Sequence, residues 1–156
     1  MKFTIILVKP RAKLVPFSWL IRWVQMTDYS HMAITIGADV LDSTLKGVAF
    51  THYLAYINKY DIVDRIHIDV EEDIAKTFHT WADSMRFKKY SMIQNVGTII
   101  RLIGITKSNP YGKNEKELVC SELVALFLGR FKGANLSDSD DYDLINAEML
   151  ARSLSC

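Results

Sequence analysis

Two side chains of this 156-residue chain have the makings of thiol chemistry, Cys120 and His31. Cys120 stands in Glu117-Leu118-Val119-Cys120-Ser121-Glu122-Leu123-Val124-Ala125-Leu126-Phe127, after a polar stretch and at the first turn of an apolar helix. A helix N-terminus offers unpaired N–H groups and a partial positive charge, both of which stabilise a thiolate and lower a cysteine pKa below its usual value of about 8.5. The same N–H groups can hold an oxyanion. Packing alone would also account for such a residue, because unpaired cysteine is among the most buried residue types. His31 shifts the balance. It opens an apolar run and can sit at the exposed end of a strand, within reach of a thiol. A cysteine and a histidine are the minimum set for thiol catalysis, the imidazole taking the proton.

The flanking sequence supplies the elements that must position this pair. Met1 to Val8, before Lys9-Pro10-Arg11, holds a short apolar run that reads as a first strand. Phe17 to Gln25, following Pro16, has apolar residues at helical spacing. Thr27-Asp28-Tyr29-Ser30 breaks that pattern. His31 to Gly37 reads as a strand, Ala38-Asp39 as a two-residue turn and Val40 to Leu45 as the returning strand, together a hairpin. Val48 to Tyr60 is apolar and aromatic without strict alternation, which suggests a short helix or irregular cover. Asp61 to Val70 alternates with period two from Ile66 onward, as a half-buried strand does. Glu71-Glu72-Asp73 places acids at the start of an amphipathic helix running to Met85. Asn95 to Ile105 is apolar, and Thr106 to Lys116 has a loop composition with Pro110 and Gly112. A helix follows from near Cys120 to near Gly129, then the acidic Ser137 to Asp141 and a last helix over Leu144 to Leu154. The order of elements predicts an α+β fold in one domain over residues 1–156, an antiparallel sheet packed against helices.

Composition narrows the classes of function. Hydrophobic residues make up 49% and charged residues 24%, and the net charge is +1, a balance suited to a packed core and without a global pull toward nucleic acid. The short basic clusters Lys88-Lys89 and Lys113 to Lys116 read as solvated surface, so no nucleic-acid partner is expected. Charges such as Arg22 and Arg101 interrupt every apolar run short of a membrane span. The N-terminal run lacks the small-residue cleavage site of an export signal, so a cytoplasmic location is expected. Two cysteines, Cys120 and Cys156, are too few for a disulfide framework. The four histidines, 31, 52, 67 and 79, show no ligand spacing, and neither a metal nor another cofactor is expected.

Tyr29-Ser30-His31-Met32-Ala33-Ile34-Thr35-Ile36-Gly37, then Val40-Leu41-Asp42-Ser43-Thr44 and Gly47-Val48, resemble the histidine hairpin of the NlpC/P60 superfamily of papain-like enzymes. Val119-Cys120-Ser121-Glu122-Leu123-Val124 resembles its nucleophile helix. In the commonest members the cysteine precedes the histidine. Here the order is reversed, as in the circularly permuted branch that includes the YiiX/YebB-like proteins and lecithin:retinol acyltransferase. The tryptophan-containing helix before the hairpin and Asn146-Ala147-Glu148-Met149-Leu150 also fall where that branch has comparable segments, so the resemblance spans most of the chain.

That resemblance implies a permuted papain-like fold and particular site residues. Cys120 would be the nucleophile and His31 its base. Asp42 matches the polar residue that orients the imidazole, a role a carboxylate suits because it accepts from the imidazole N–H. A turn at Ala38-Asp39 puts Asp42 opposite Thr35 and on the sheet face of His31. It also leaves the two four positions apart, roughly 13 Å at about 3.3 Å per residue, so a strong twist or a bulge is required. Ser43 should face the other way. Tyr90 matches the family's tyrosine ahead of the nucleophile segment, with Tyr29 the competing candidate, as a supplementary oxyanion donor. His52, His67 and His79 read as surface or structural histidines. The expected activity is hydrolysis of an amide bond in a peptide or cell-wall-like substrate through a thioester on Cys120. The alternatives are acyl transfer or lipid deacylation on the same fold, and a non-catalytic binding module.

Overall fold

The computed structural model describes residues 1–11, 18, 22, 23, 26–44, 46–86, 88–90, 96, 97, 99–101, 104, 105, 107 and 117–132. Its centre is a five-stranded antiparallel sheet in the order β4-β3-β2-β1-β5. The strands are β1 (Lys2–Pro10), β2 (His31–Ile36), β3 (Asp39–Thr44), β4 (Gly47–His52) and β5 (Tyr60–Asp69). The α+β class with an antiparallel sheet and packed helices is thus as the sequence suggests. β1 lies between β2 and β5 and is covered on both faces. That is why its apolar run does not alternate: Phe3, Ile5 and Leu7 enter one core cluster, and Ile6 and Val8 enter a second.

The larger cluster lies under the helices. These are α2 (Glu72–Ala75), α3 (Phe78–Met85) and α4 (Cys120–Lys132), which contribute Ala75, Phe78, Ala82, Leu123, Val124, Phe127, Leu128 and Phe131. Aromatic contacts tie them to β1. Phe3 meets Phe78 at 4.8 Å and Phe127 at 5.1 Å, and Trp81 meets Phe131 edge-on at 5.4 Å. The opposite face is covered by α1 (Tyr53–Ile57), whose Tyr56 joins Ile6, Val8, Ala33 and Val40, with Tyr53, Tyr60 and Ile62 packed around them. A short parallel pair, β6 (Lys89–Tyr90) and β7 (Glu117–Leu118), leads into α4.

Several expectations need revision. The hairpin turn is Gly37-Ala38 and not Ala38-Asp39, because Asp39 already pairs with Ile36. The physical reason is Gly37, at φ +58. A type II′ turn needs positive φ at its first central position, and glycine supplies it without strain. Val48 to Tyr60 is neither one helix nor irregular cover: it splits into the rest of strand β4, the single-turn helix α1 and the first residue of β5. The helix expected from Glu71 to Met85 breaks at Lys76 and Thr77, where Thr77 N–H and its hydroxyl both bond to the Ile74 carbonyl. α4 runs past Gly129 to Lys132 because Phe131 extends the apolar stripe of Leu123, Val124, Phe127 and Leu128. Ser18, Arg22 and Trp23 of the expected helix over Phe17–Gln25 are helical. The loop over 108–116, the acidic segment, the last helix and Cys156 lie outside the described residues.

Candidate active site

His31 is the first residue of β2 and Cys120 the first of α4, so each sits at the end of an element that is itself buried and fixed. Val119 precedes the helix as its cap. Its carbonyl takes the first helical hydrogen bond from Leu123 N–H at 3.1 Å, and its N–H donates to the Glu122 carboxylate at 3.0 Å. The second bond is half of a capping box, with the carboxylate at the third helical residue reaching back to the cap. Cys120 therefore occupies the first helical position, where the axial N–H groups have no intrahelical partner. It is a free thiol and only partly exposed.

Asp42 meets His31 because of the turn. With the loop at Gly37-Ala38 the register is Ile36↔Asp39, Thr35↔Val40 and Ile34↔Leu41. Continuing it sets Asp42 across from Ala33, two positions from His31 and not four. Moving the loop by one residue shifts the register by two, so Asp42 keeps its face while its separation from His31 halves. Diagonal neighbours on one face are within reach of long side chains. The paired region of β2 and β3 ends at Ile34↔Leu41, so His31 and Asp42 lie beyond the ladder, where the strands part. Nε2 of His31 and Oδ1 of Asp42 are 2.5 Å apart, with side chains 11% and 3% exposed. Ser43, alternating with Asp42, is fully buried.

With Nε2 taken by Asp42, Nδ1 is the ring nitrogen left for a further partner, and Cys120 lies close enough to His31 for the two to shift each other's ionisation. The charges reinforce one another. Burial works against a proton on His31, but the charges of Asp42 and Cys120 and the hydrogen bonds to both outweigh it, and the pKa stands well above the ordinary 6.5. Burial likewise pushes the Cys120 thiol up. The positive His31, its hydrogen bond and the backbone N–H of Met32 donating to the sulfur overcome that and the opposing charge of Asp42, so the net shift is downward. An opposite charge within a few ångströms favours both ionised forms, and the cysteine and histidine titrate as a pair.

No family model matches this chain, and neither does any curated protein.

Tyr29 is buried, with its ring in the larger core cluster. Tyr90 lies on β6, and its side chain is outside the described residues. Two further tyrosines lie beside His31. Tyr60 stacks on the His31 ring at 5.7 Å, and Tyr56 stacks on Tyr60 at 4.6 Å. Sequence reasoning missed both, because Tyr56 is on α1 and Tyr60 on β5 and nothing local in the sequence brings these elements to His31. The other histidines are accounted for locally. His52 caps α1 through the Leu54 N–H, His67 is hydrogen-bonded to Thr4, and His79 packs against Phe50 and Phe78. Among the described residues, no group of three or more His, Cys, Asp or Glu side chains could hold a metal ion.

Proposed function

We propose that this protein is a cysteine hydrolase of the permuted papain-like type, cleaving an amide bond through a thioester on Cys120. The observation that carries the reading is the Asp42–His31–Cys120 cluster, in which a carboxylate holds His31 at Nε2 and His31 and Cys120 shift each other's ionisation. A buried structural cysteine has no need of such a partner, whereas a nucleophile requires a base that is itself oriented by a third group. In the proposed reaction the Cys120 thiolate attacks the carbonyl carbon, forming the C–S bond. The N–H groups at the start of α4 stabilise the resulting oxyanion. The His31 imidazolium gives its proton to the departing amine as the C–N bond breaks. Water then attacks the thioester while His31 takes its proton, and the carboxylic acid leaves with the thiolate restored.

The test is turnover of a panel of peptide amides by the wild-type protein and by Cys120→Ala. Release of amine by the first and not by the second supports the reading. A second reading, acyl transfer or deacylation of a lipid, draws on the apolar side chains exposed at Trp23 and Met26, 66% and 94% exposed, shortly before His31. Acyl-chain release from phospholipid vesicles without peptide-amide turnover would favour it. A panel on which neither substrate class is turned over, with Cys120 unreactive toward alkylation, would favour a binding module. Among the described residues no helix is long and apolar enough to cross a membrane.

A further inference from the structure

Tyr56 is 1% exposed, and its hydroxyl is the buried side-chain polar atom that has no hydrogen-bond partner among the described residues. Such atoms are uncommon, since leaving a buried donor unpaired costs the full penalty of removing it from water. Beside it is an acceptor with capacity to spare. An ionised carboxylate offers about four lone-pair positions, and in Asp42 it is Oδ1 that meets Nε2 of His31. After burial, the Asp42 charge and a contact with Asp42 that falls short of good hydrogen-bond geometry both hold the Tyr56 proton on. The phenol is therefore a permanent donor across the working pH range.

We infer that the Tyr56 hydroxyl donates to the Asp42 carboxylate and is a positioning residue for the site, fixing the plane of the carboxylate that in turn orients His31. This rests on the reading of Cys120 and His31 given above. The three rings in sequence, Tyr56 on Tyr60 and Tyr60 on His31, show how the position is enforced. α1 brings Tyr56 under the parted ends of β2 and β3, and the stack restrains the imidazole on one side while Asp42 restrains it at Nε2. The groups with charge or protons to exchange that face this hydroxyl are Asp42 from β3, Tyr60 from β5 and Cys120 from α4, with His31 from β2 facing Tyr60.

The experiment compares the pH profile of Cys120 alkylation by iodoacetamide in wild type, Tyr56→Phe and Tyr53→Phe, with melting temperature measured alongside. Tyr56→Phe keeps the ring and its stacking and removes only the donor. Tyr53→Phe removes a hydroxyl from the same helix that is only partly buried and accepts from Arg65. If Tyr56 positions Asp42, its loss loosens the imidazolium that pairs with the thiolate. Reactivity near neutral pH then falls about threefold to tenfold, the value of one hydrogen bond. The acid limb moves up and the alkaline limb moves down, while Tyr53→Phe matches wild type. A Tyr56→Phe profile that superimposes on a fast wild-type profile overturns this inference alone. So does a window that widens, which would mean that the hydroxyl weakens Asp42 and does not position it. A wild-type Cys120 no faster than an ordinary thiol overturns the reading of the site as well. Should Tyr56→Phe melt too low to assay, the wild-type imidazole 15N spectrum decides: a Nε2–H proton slow to exchange supports a fixed carboxylate, and a rapidly exchanging one contradicts it.

Discussion

At the scale of single residues, one buried carboxylate governs the site. Asp42 on β3 lies 2.5 Å from Nε2 of His31, and both side chains are largely removed from water. Breaking such a pair by truncation leaves an uncompensated buried charge and costs on the order of 3–5 kcal/mol. The informative substitution is therefore Asp42→Asn, which preserves shape and can still accept from Nε2–H. It is expected to slow Cys120 alkylation and any amide turnover at least about tenfold, because a neutral amide no longer stabilises the imidazolium. Melting temperature should stay close to wild type. Unchanged rates in Asp42→Asn would remove Asp42 from the site. At this scale the sequence was legible for the types of residue and for the sheet face they share. It was not legible for their separation, because that depends on which two residues make the turn, and both Gly37-Ala38 and Ala38-Asp39 fit between the same apolar runs. The Tyr60 and Tyr56 stack was hidden for another reason. It is assembled from α1 and β5, and no local pattern says that those elements meet β2 across the sheet.

At the scale of elements, two devices set the site's geometry. The first is the β2–β3 turn. A Cβ at Gly37 would meet nothing within 4 Å, so a substitution there is strained only through its φ of +58. Gly37→Ala should cost about 1–2 kcal/mol and Gly37→Asn less, since asparagine tolerates the left-handed region better. Because the register depends on this turn, Gly37→Ala should also slow Cys120 alkylation, whereas an effect on stability alone would mean that register is fixed elsewhere. The second device is α4, which carries Cys120 at its start and is anchored by Phe127 and Phe131 against Phe3, Phe78 and Trp81. Phe127 is fully buried, and Phe127→Ala should cost about 3–5 kcal/mol in denaturant unfolding. Strand β4 shows the limit of pattern reading. Gly47–His52 is an edge strand whose burial does not alternate, and its start is crowded by the β6 side: a Cβ on Gly47 would lie 3.1 Å from the Lys88 carbonyl oxygen. Period two is visible only where one face of a strand is evenly buried.

At the scale of the whole molecule, the His31–Cys120 pair ties the ionisation of the site to stability. His31 is raised in the folded state, so its contribution is complete below the unfolded value of about 6.5 and is lost as the pH climbs through the folded value. Cys120 is lowered, so its contribution is complete above the unfolded value of about 9.0 and is lost as the pH falls through the folded one. Between those unfolded values one gain offsets the other loss, and the pair's contribution is level. The melting-temperature difference between wild type and Cys120→Ala is therefore expected to be greatest at about pH 6.5–9 and to shrink on both sides. A difference that rises steadily with pH would show an ordinary buried thiol.

The pairing of Cys120 with His31 is tested most directly by the pH dependence of alkylation at Cys120, read by peptide mass mapping in a Cys156→Ser background so that one thiol reports. Reactivity is expected to persist well below pH 8.5, the ordinary thiol value, and to collapse toward an ordinary thiol profile in His31→Ala. A single ionisation near 8.5–9 in both proteins, with the fold intact, would contradict it.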